Sequence, residues 1–218
     1  MENNEIIKIV ASVLALAVAI IGHEIMHGKM AYHYGDDTAK NAGRLSINPL
    51  VHIDPIGTIL VPALLYFGGA PFLFGWAKPV PIYIREVIRN AGYKGAINVS
   101  LAGIYFNFAL AIIASIILNF SNITSSINSL VELFLAYFVL QTLLYNVVLG
   151  FFNLLPIPPL DGSHAVSYFA TWNGWHKISN FYDSIEKYGM IILILVIATP
   201  ISDFVFAPIW HIVNFLAP

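Results

Sequence analysis

The sequence has no cysteine and few charged residues. Zero cysteines exclude disulfide bonds and thiolate metal ligands and leave the redox compartment open. Charged residues make up 10% of the chain, whereas soluble domains carry roughly 25%. The net charge of −2, without any basic tract, gives no reason to expect nucleic acid as a partner. The 58% of hydrophobic residues and the mean hydropathy of +0.77 predict a polytopic membrane protein surrounded by a lipid bilayer.

The N-terminus lacks the features of a cleaved signal peptide. Its first eight residues, MENNEIIK, contain two glutamates and one lysine, so the usual basic region is missing. No small-residue cleavage site follows the apolar run. We therefore expect residues 6–31 to be a retained membrane helix.

Five apolar stretches approach the roughly 20 residues that a membrane segment needs. They cover residues 6–31, 56–74, 96–118, 129–155 and 189–216. No internal repeat and no separate soluble region is evident, so residues 1–218 are predicted to form a single membrane-embedded domain. The polar break TPISDF at 199–204 leaves open whether the last stretch is one helix or two.

The basic residues predict the orientation. Lysine and arginine occur in the connections at 29–55 and 78–95 but not at 119–128, so the first two should be cytoplasmic and the third external. A full crossing by residues 56–74 would place 78–95 outside. Prolines and glycines also interrupt that stretch, at Pro62, Gly68, Gly69 and Pro71. We therefore expect it to re-enter from the cytoplasmic side, and an ordinary kinked span is the alternative.

His23, Glu24 and His27 form the motif HEIMH at the end of the first apolar run. On a helix, positions i and i+4 differ by only about 40°, so the two imidazoles can converge on one metal ion beside Glu24. In H-E-x-x-H sites the histidines bind zinc and the glutamate is the general base. Snorkelling to the membrane interface is the alternative, but it would favour lysine or arginine. Ionisable groups in a membrane segment usually mark function.

A catalytic zinc site needs a third protein ligand and an open position. His33 has a ligand spacing known from other zinc sites, but Met30 stands where that arrangement needs a glycine, so His33 should point away. Asp54 lies in a polar loop, where a solvated or turn-forming role is expected. Asp36 and Asp37 follow Gly35, and we expect them to be solvated residues where the chain leaves the first helix.

Asp161 is the strongest candidate for the third ligand. It follows the three prolines of NLLPIPPLDGSH at 153–164, which interrupt a helix, and it presents a carboxylate where the chain resumes. A helix N-cap is the alternative. If residues 56–74 re-enter, the next two helices bring Asp161 to the same side as His23 and His27.

Five motifs together resemble one known family. They are HEIMH at 23–27, GRLSINPLVHIDPIGT at 43–58, FGWAKPVPI at 74–82, SLAGIYFN at 100–107 and NLLPIPPLDG at 153–162. In this order they resemble the site-2 proteases, which are intramembrane zinc metalloproteases. The resemblance runs from about residue 20 to residue 168. It is greatest to the compact bacterial and archaeal members without PDZ or CBS domains.

The resemblance implies a set of site residues. One Zn²⁺ per chain would be bound by His23, His27 and Asp161, with Glu24 as the catalytic base.

The resemblance also implies roles for two asparagines. Asn107 of the G-x-x-x-N motif would face the catalytic site and help to hold the oxyanion, and Asn153 would bind the substrate backbone. Ile104 replaces the proline that usually follows Gly103 in this family, which bears on the placement of Asn107. Structural hydrogen bonding within a helix bundle is the alternative for both asparagines.

The predicted fold is an all-α polytopic membrane protein, a site-2-protease-like helix bundle. Its core helices are expected at about 6–31, 96–118 and 129–168, with the re-entrant segment at 56–74 and a C-terminal membrane segment at 189–216. Residues 76–84, WAKPVPIYI, should form a short extended or β element that offers an edge to a substrate strand.

The predicted function is hydrolysis of a peptide bond in or next to a transmembrane segment of a membrane protein substrate. The protein is expected in the cell membrane with its active site toward the cytoplasmic side. The alternatives are a zinc-binding or zinc-transport membrane protein and an inactive relative. Transport would normally need ionisable residues strung across the bilayer, and the presence of Glu24 argues against inactivity. The sequence indicates no oligomeric state.

Overall fold

The computed structural model describes residues 2–69, 75–121, 123 and 127–217. The helices are α1 (Glu2–His33), α2 (Thr38–Asn41), α3 (Val61–Phe67), α4 (Ile84–Phe120), α5 (Leu130–Leu154), α6 (Asp161–Trp172), α7 (His176–Ile185), α8 (Gly189–Ala198) and α9 (Ile201–Leu216). Short 3₁₀ turns cover Pro49–His52 and Glu186–Tyr188, and a π-helical stretch, Pro55–Leu60, leads into α3. None of the described residues lies in a β-strand. The prediction of an all-α membrane protein is confirmed.

Local signals account for the ends of the long helices. The helix α1 is followed by Gly35, whose φ of 92° stops the helix as a left-handed residue does. The helix α5 begins with a capping box, in which the Ser129 side chain accepts from the Glu132 N–H and the Glu132 side chain accepts from the Ser129 N–H. It ends at Leu154, before the first proline of the PIPP segment.

Three helices, α1, α4 and α5, are long and apolar enough to cross a membrane. Asn107 of α4 lies beside Ala19 and His23, whereas Val99 lies beside His27. Because residue numbers fall in α4 as they rise in α1, the two helices are antiparallel. The helix α5 runs parallel to α1, with Tyr137 beside Lys8 at one end and Asp161 following at the other.

Small residues bring these helices close together. Ala11, Ala15 and Ala19 of α1 are fully buried, one helical turn apart. Close contact through small residues is how helices associate in lipid, where burying apolar area gives little gain. The outer faces carry exposed aliphatic side chains such as Val13 and Ile116. The bundle is therefore packed inside and apolar outside.

Two predicted boundaries differ from the structure. The helix α4 begins at Ile84 rather than at 96, with a kink at Gly92, where φ is 65° and ψ is −168°. The predicted core helix 129–168 is divided into α5 and α6, because residues 155–160 leave the helix at the prolines. The second helix therefore starts at Asp161 itself.

The apolar stretch at 56–74 is helical over Pro55–Phe67, which gives 6 residues of π-helix and 7 of α-helix. That length corresponds to about 20 Å, less than the roughly 30 Å of a hydrocarbon core. Residues 70–74 lie outside the described residues. Since α1 and α4 are antiparallel, residues 34–83 begin and end at the same end of the bundle.

The C-terminal membrane segment consists of two helices. The axes of the α7–α8 part and of α9 differ by 77° across the break at 199–200. Gly189, at the start of α8, lies against Pro158 near the end of the bundle that holds Asp161. At the other end the Leu216 carbonyl accepts from the Ser115 hydroxyl at 2.5 Å. The segment from Gly189 to Leu216, formed by α8 and α9, therefore runs from one end of the bundle to the other.

The predicted extended element lies between α3 and α4. Residues 75–83 form neither helix nor strand. Their backbone makes hydrogen bonds to residues 52 and 57 and to side chains, without a strand ladder. A β element at this place stays a prediction.

Candidate metal centre

Three side chains converge at one point between α1 and α6. His23 Nε2 lies 3.0 Å from His27 Nε2, and Asp161 Oδ2 lies 3.0 and 3.1 Å from these two nitrogens. The two imidazoles are buried, and the Asp161 side chain is 20% exposed. The two histidines share a face of α1 because they are four residues apart. The helix break before α6 places Asp161 next to them.

Each imidazole has its proton position fixed on the far side of the ring. His27 Nδ1 lies 2.7 Å from the Val99 carbonyl oxygen, which can only accept, so Nδ1 carries the hydrogen. His23 Nδ1 lies 2.6 Å from Asn107 Oδ1. The Asn107 amide nitrogen donates to the Ala19 carbonyl at 3.2 Å, which fixes the amide orientation. In the neutral rings both Nε2 atoms therefore present lone pairs.

This arrangement fits a zinc ion. Two lone pairs and a carboxylate oxygen about 3 Å apart repel one another unless a cation lies between them. Tetrahedral zinc with bonds of about 2.0–2.1 Å needs ligand atoms about 3.3 Å apart, close to the observed separations. Two imidazoles and one carboxylate are also a ligand set of catalytic zinc sites, with a fourth position left open. Among the described residues, this is the one group of three or more histidine, aspartate or glutamate side chains close enough to hold a metal.

Glu24 lies beside this group without belonging to it. Its side chain is partly buried, and its Oε2 accepts a hydrogen bond from the Val80 backbone N–H at 2.9 Å. The structure therefore brings Glu24 next to the histidines but directs one carboxylate oxygen to the segment between α3 and α4.

Asn107 lies behind His23, on the side away from the converging nitrogens. It is completely buried, and its amide group donates to the Ala19 carbonyl and, at 2.8 Å, to Asn146 Oδ1. Its oxygen accepts from His23. The geometry favours orientation of a metal ligand, and the oxyanion role stays a prediction.

Asn146 belongs to the same network and was missed in the sequence. It is completely buried in α5 and also donates to the Thr142 carbonyl at 2.8 Å. An amide in the middle of a 25-residue apolar helix was the available signal, since polar groups inside membrane helices are costly.

Gly103 leaves room for the imidazoles. A Cβ atom at this position would lie 2.5 Å from His23 Nδ1 and 2.5 Å from His27 Nε2. Real Cβ contacts are not that short, so any larger residue would force α4 away or displace the rings. The glycine of the G-x-x-x-N motif thus acts through close helix approach.

The remaining sequence candidates lie elsewhere. Asn153 is partly buried in the last turn of α5 and donates to the Leu149 carbonyl of its own helix at 3.0 Å. His33 is exposed at the end of α1. Asp54 caps the π-helical stretch, and the N–H groups of Gly57 and then Ile56 hold its pKa below the usual range.

The prediction that Asp36 is a solvated residue is wrong. It is 2% exposed and accepts hydrogen bonds from the Thr38 and Tyr83 N–H groups. A carboxylate buried in this way stabilises the loop after α1, because backbone N–H donors form charge-assisted hydrogen bonds with it. Asp37, by contrast, is exposed.

The family of the chain follows from a comparison with known proteins. The sequence model of peptidase family M50 matches residues 11–197. The chain therefore belongs to this family, the site-2 proteases, and the resemblance seen in the motifs is confirmed. Family membership and the apolar helices together make it a multi-pass membrane protein of a metalloprotease family.

Two curated relatives have related names. A Bacillus subtilis protein named "Putative zinc metalloprotease YwhC" is 34% identical over 207 residues, covering 93% of this chain and 85% of the relative. A Mycolicibacterium smegmatis protein named "Putative zinc metalloprotease Rip2" is 26% identical over 180 residues, covering 82% of this chain and 62% of the relative. No solved structure matches the chain.

Proposed function

We propose that this protein is an intramembrane zinc metalloprotease that hydrolyses a peptide bond in or next to a transmembrane segment of a membrane protein. The observation that carries the proposal is the convergence of His23 Nε2, His27 Nε2 and Asp161 Oδ2 beside Glu24, which lies with both histidines in a helix long and apolar enough to cross a membrane. The names of the two relatives support zinc as the metal, with one ion per chain.

The residues of the site divide the chemistry between them. Bound zinc would polarise the scissile carbonyl and activate a water molecule. Glu24 would accept a proton from the attacking water and return it to the leaving amine as general base and then acid. Val99 and Asn107 hold the two imidazoles so that their Nε2 lone pairs converge where the zinc would be bound. Asn153, one turn before the proline segment, would contact the substrate backbone.

The depth of the site supports a membrane-embedded substrate. His23 lies ten residues before the C-terminal end of α1, about 15 Å along the helix. A helical substrate has its carbonyls hydrogen-bonded internally, so the helix must open locally before one can be attacked. Substrates with helix-breaking residues near the scissile bond would open at lower cost.

We also propose a location and topology. Residues 1–218 form one domain in the cell membrane, with the site toward the cytoplasmic side and residues 56–74 re-entering from that side. The short helix Pro55–Phe67 and the antiparallel packing of α1 and α4 support this arrangement, as does the lack of lysine and arginine at 119–128.

Glu24→Gln tests the enzyme against a protein that only binds or transports zinc. Glutamine keeps the side-chain shape but cannot take a proton. We expect the variant to retain zinc while cleavage of a transmembrane reporter falls by roughly 10²–10⁴-fold. The purified protein would be assayed with and without a chelator, and Glu5→Gln on the exposed start of α1 serves as the matched control. Undiminished, chelator-sensitive cleavage by Glu24→Gln would contradict the proposed mechanism.

A further inference from the structure

Residues 76–83, WAKPVPIY, form a strap that crosses α1 near Glu24. Its backbone N–H groups donate inward at every second residue. Trp76 donates to the Gly57 carbonyl at 3.1 Å, and Lys78 donates to the His52 carbonyl at 2.9 Å. Val80 continues the row and donates to Glu24 Oε2 at 2.9 Å. The carboxylate therefore takes the place that a backbone carbonyl occupies at the two preceding positions.

Val80 stands between two prolines of the strap, so it supplies the one backbone N–H donor of these three residues. Pro79 and Pro81 have no backbone N–H. Val80 is 8% exposed, and its side chain packs over Gly28, which lies one turn after Glu24 on the same face of α1. A Cβ atom on Gly28 would lie 2.9 Å from Val80 Cγ1. Both the N–H and the side chain of Val80 are thus seated on α1.

Buried charged side chains hold the strap on either side of Val80. Arg44 is 7% exposed, and its guanidinium donates to the Lys78 carbonyl at 2.6 Å. Asp36 is 2% exposed and accepts from the Tyr83 N–H at 2.6 Å. Hydrogen bonds to buried charges are among the stronger ones in proteins, so the position of the Val80 N–H is fixed from both directions.

We propose that the backbone N–H of Val80 is a positioning group for the general base. This inference rests on the proposed function. The N–H holds Glu24 Oε2 and leaves Oε1 to accept the proton of the attacking water. A carboxylate held in place before reaction needs no ordering during it, which lowers the barrier of the chemical step. The effect should therefore fall on kcat rather than on substrate binding.

The test replaces the amide of Val80 with an ester by incorporating the α-hydroxy acid of valine into the full chain. The ester keeps the side chain and removes the N–H. We expect kcat for a transmembrane reporter to fall roughly ten- to a hundredfold, with KM and zinc content unchanged. Val80→Ala keeps the N–H and should lose far less activity.

An ester at Lys78 is the matched control. It removes an equivalent strap N–H, one that meets the His52 carbonyl instead of Glu24, and should lower kcat much less. An equal loss at Lys78, a normal kcat for the Val80 ester, or loss of zinc from it would each overturn the inference. These outcomes require a wild-type protein that cleaves the reporter in a chelator-sensitive manner. A wild-type protein without such cleavage would refute the proposed function itself.

Discussion

His23 and His27 each have a ring proton held by an acceptor of the protein. His27 uses the backbone carbonyl of Val99, which no side-chain substitution removes, whereas His23 uses the side chain of Asn107. Such partners set the tautomer and ring orientation of metal-binding histidines. Substitution can therefore test this support at Asn107 but not at Val99.

Asn107→Ala should weaken zinc binding by roughly 10–100-fold, because His23 Nδ1–H loses its acceptor. Competition with a chromophoric chelator on the purified protein would measure the affinity. Asn153→Ala is the control, since that amide donates to its own helix and should leave zinc affinity unchanged. Normal zinc affinity together with a reduced kcat in Asn107→Ala would instead support the oxyanion role that the sequence resemblance implies.

Gly103→Ala should lower zinc affinity through crowding. The added methyl group would lie 2.5 Å from His23 Nδ1 and His27 Nε2, so the rings or α4 must move. Gly95→Ala is the matched control on the same helix, because its nearest contacts, Ala91 Cβ at 2.6 Å and Val87 Cγ1 at 3.2 Å, involve neither the ligands nor Asn107. Zinc affinity in Gly103→Ala equal to that of Gly95→Ala would show that α4 can shift without disturbing the site.

At the scale of helices, the sequence predicts best what depends on local pattern. The HEIMH spacing and the apolar run place both histidines on α1, and the prolines before Asp161 predict the break that starts α6. The first turns of α4 were missed because IREVIRNAGYKG is polar, and Val87, which is completely buried, is its main inward apolar residue. Hydropathy alone does not detect such a helix.

The hydrogen bonds that hold the site residues in place depend on packing between helices. The carbonyl of Val99 has no signature in the sequence, since every residue has one. The contact between Asn107 and Asn146 joins residues 39 positions apart and exists only once α4 and α5 pack. The hydrogen bond from Val80 to Glu24 likewise depends on how the strap crosses α1. Such contacts require the fold before they can be predicted.

The arrangement of the helices predicts which segments share a side of the membrane. Single cysteines at Lys40, Arg89 and Asn128 can be placed in this cysteine-free chain, at exposed positions. An impermeant thiol reagent applied from outside should label position 128 alone in intact cells, and all three after lysis. Labelling of 89 together with 128 in intact cells would mean that residues 56–74 cross the membrane completely.

At the scale of the whole molecule, the candidate metal centre brings together two distant parts of the chain. Asp161 meets His27 across 134 positions, and without a cation the three ligand groups repel one another. A bound ion would therefore hold α6 against α1 as well as serve the reaction. A ligand that binds the folded protein but not the unfolded chain raises the stability of the folded protein.

Removing zinc should consequently lower the thermal unfolding temperature in detergent. Zinc at 100 times its dissociation constant contributes about 2.7 kcal/mol to the free energy of unfolding, and a chelator would remove that contribution. His23→Ala should unfold at a lower temperature than the wild type and respond little to the chelator, because two ligands hold the ion weakly. His33→Ala, at the exposed end of α1, is the control that should keep the full response. An equal response of His23→Ala and the wild type to the chelator would mean that the stabilising metal is bound elsewhere.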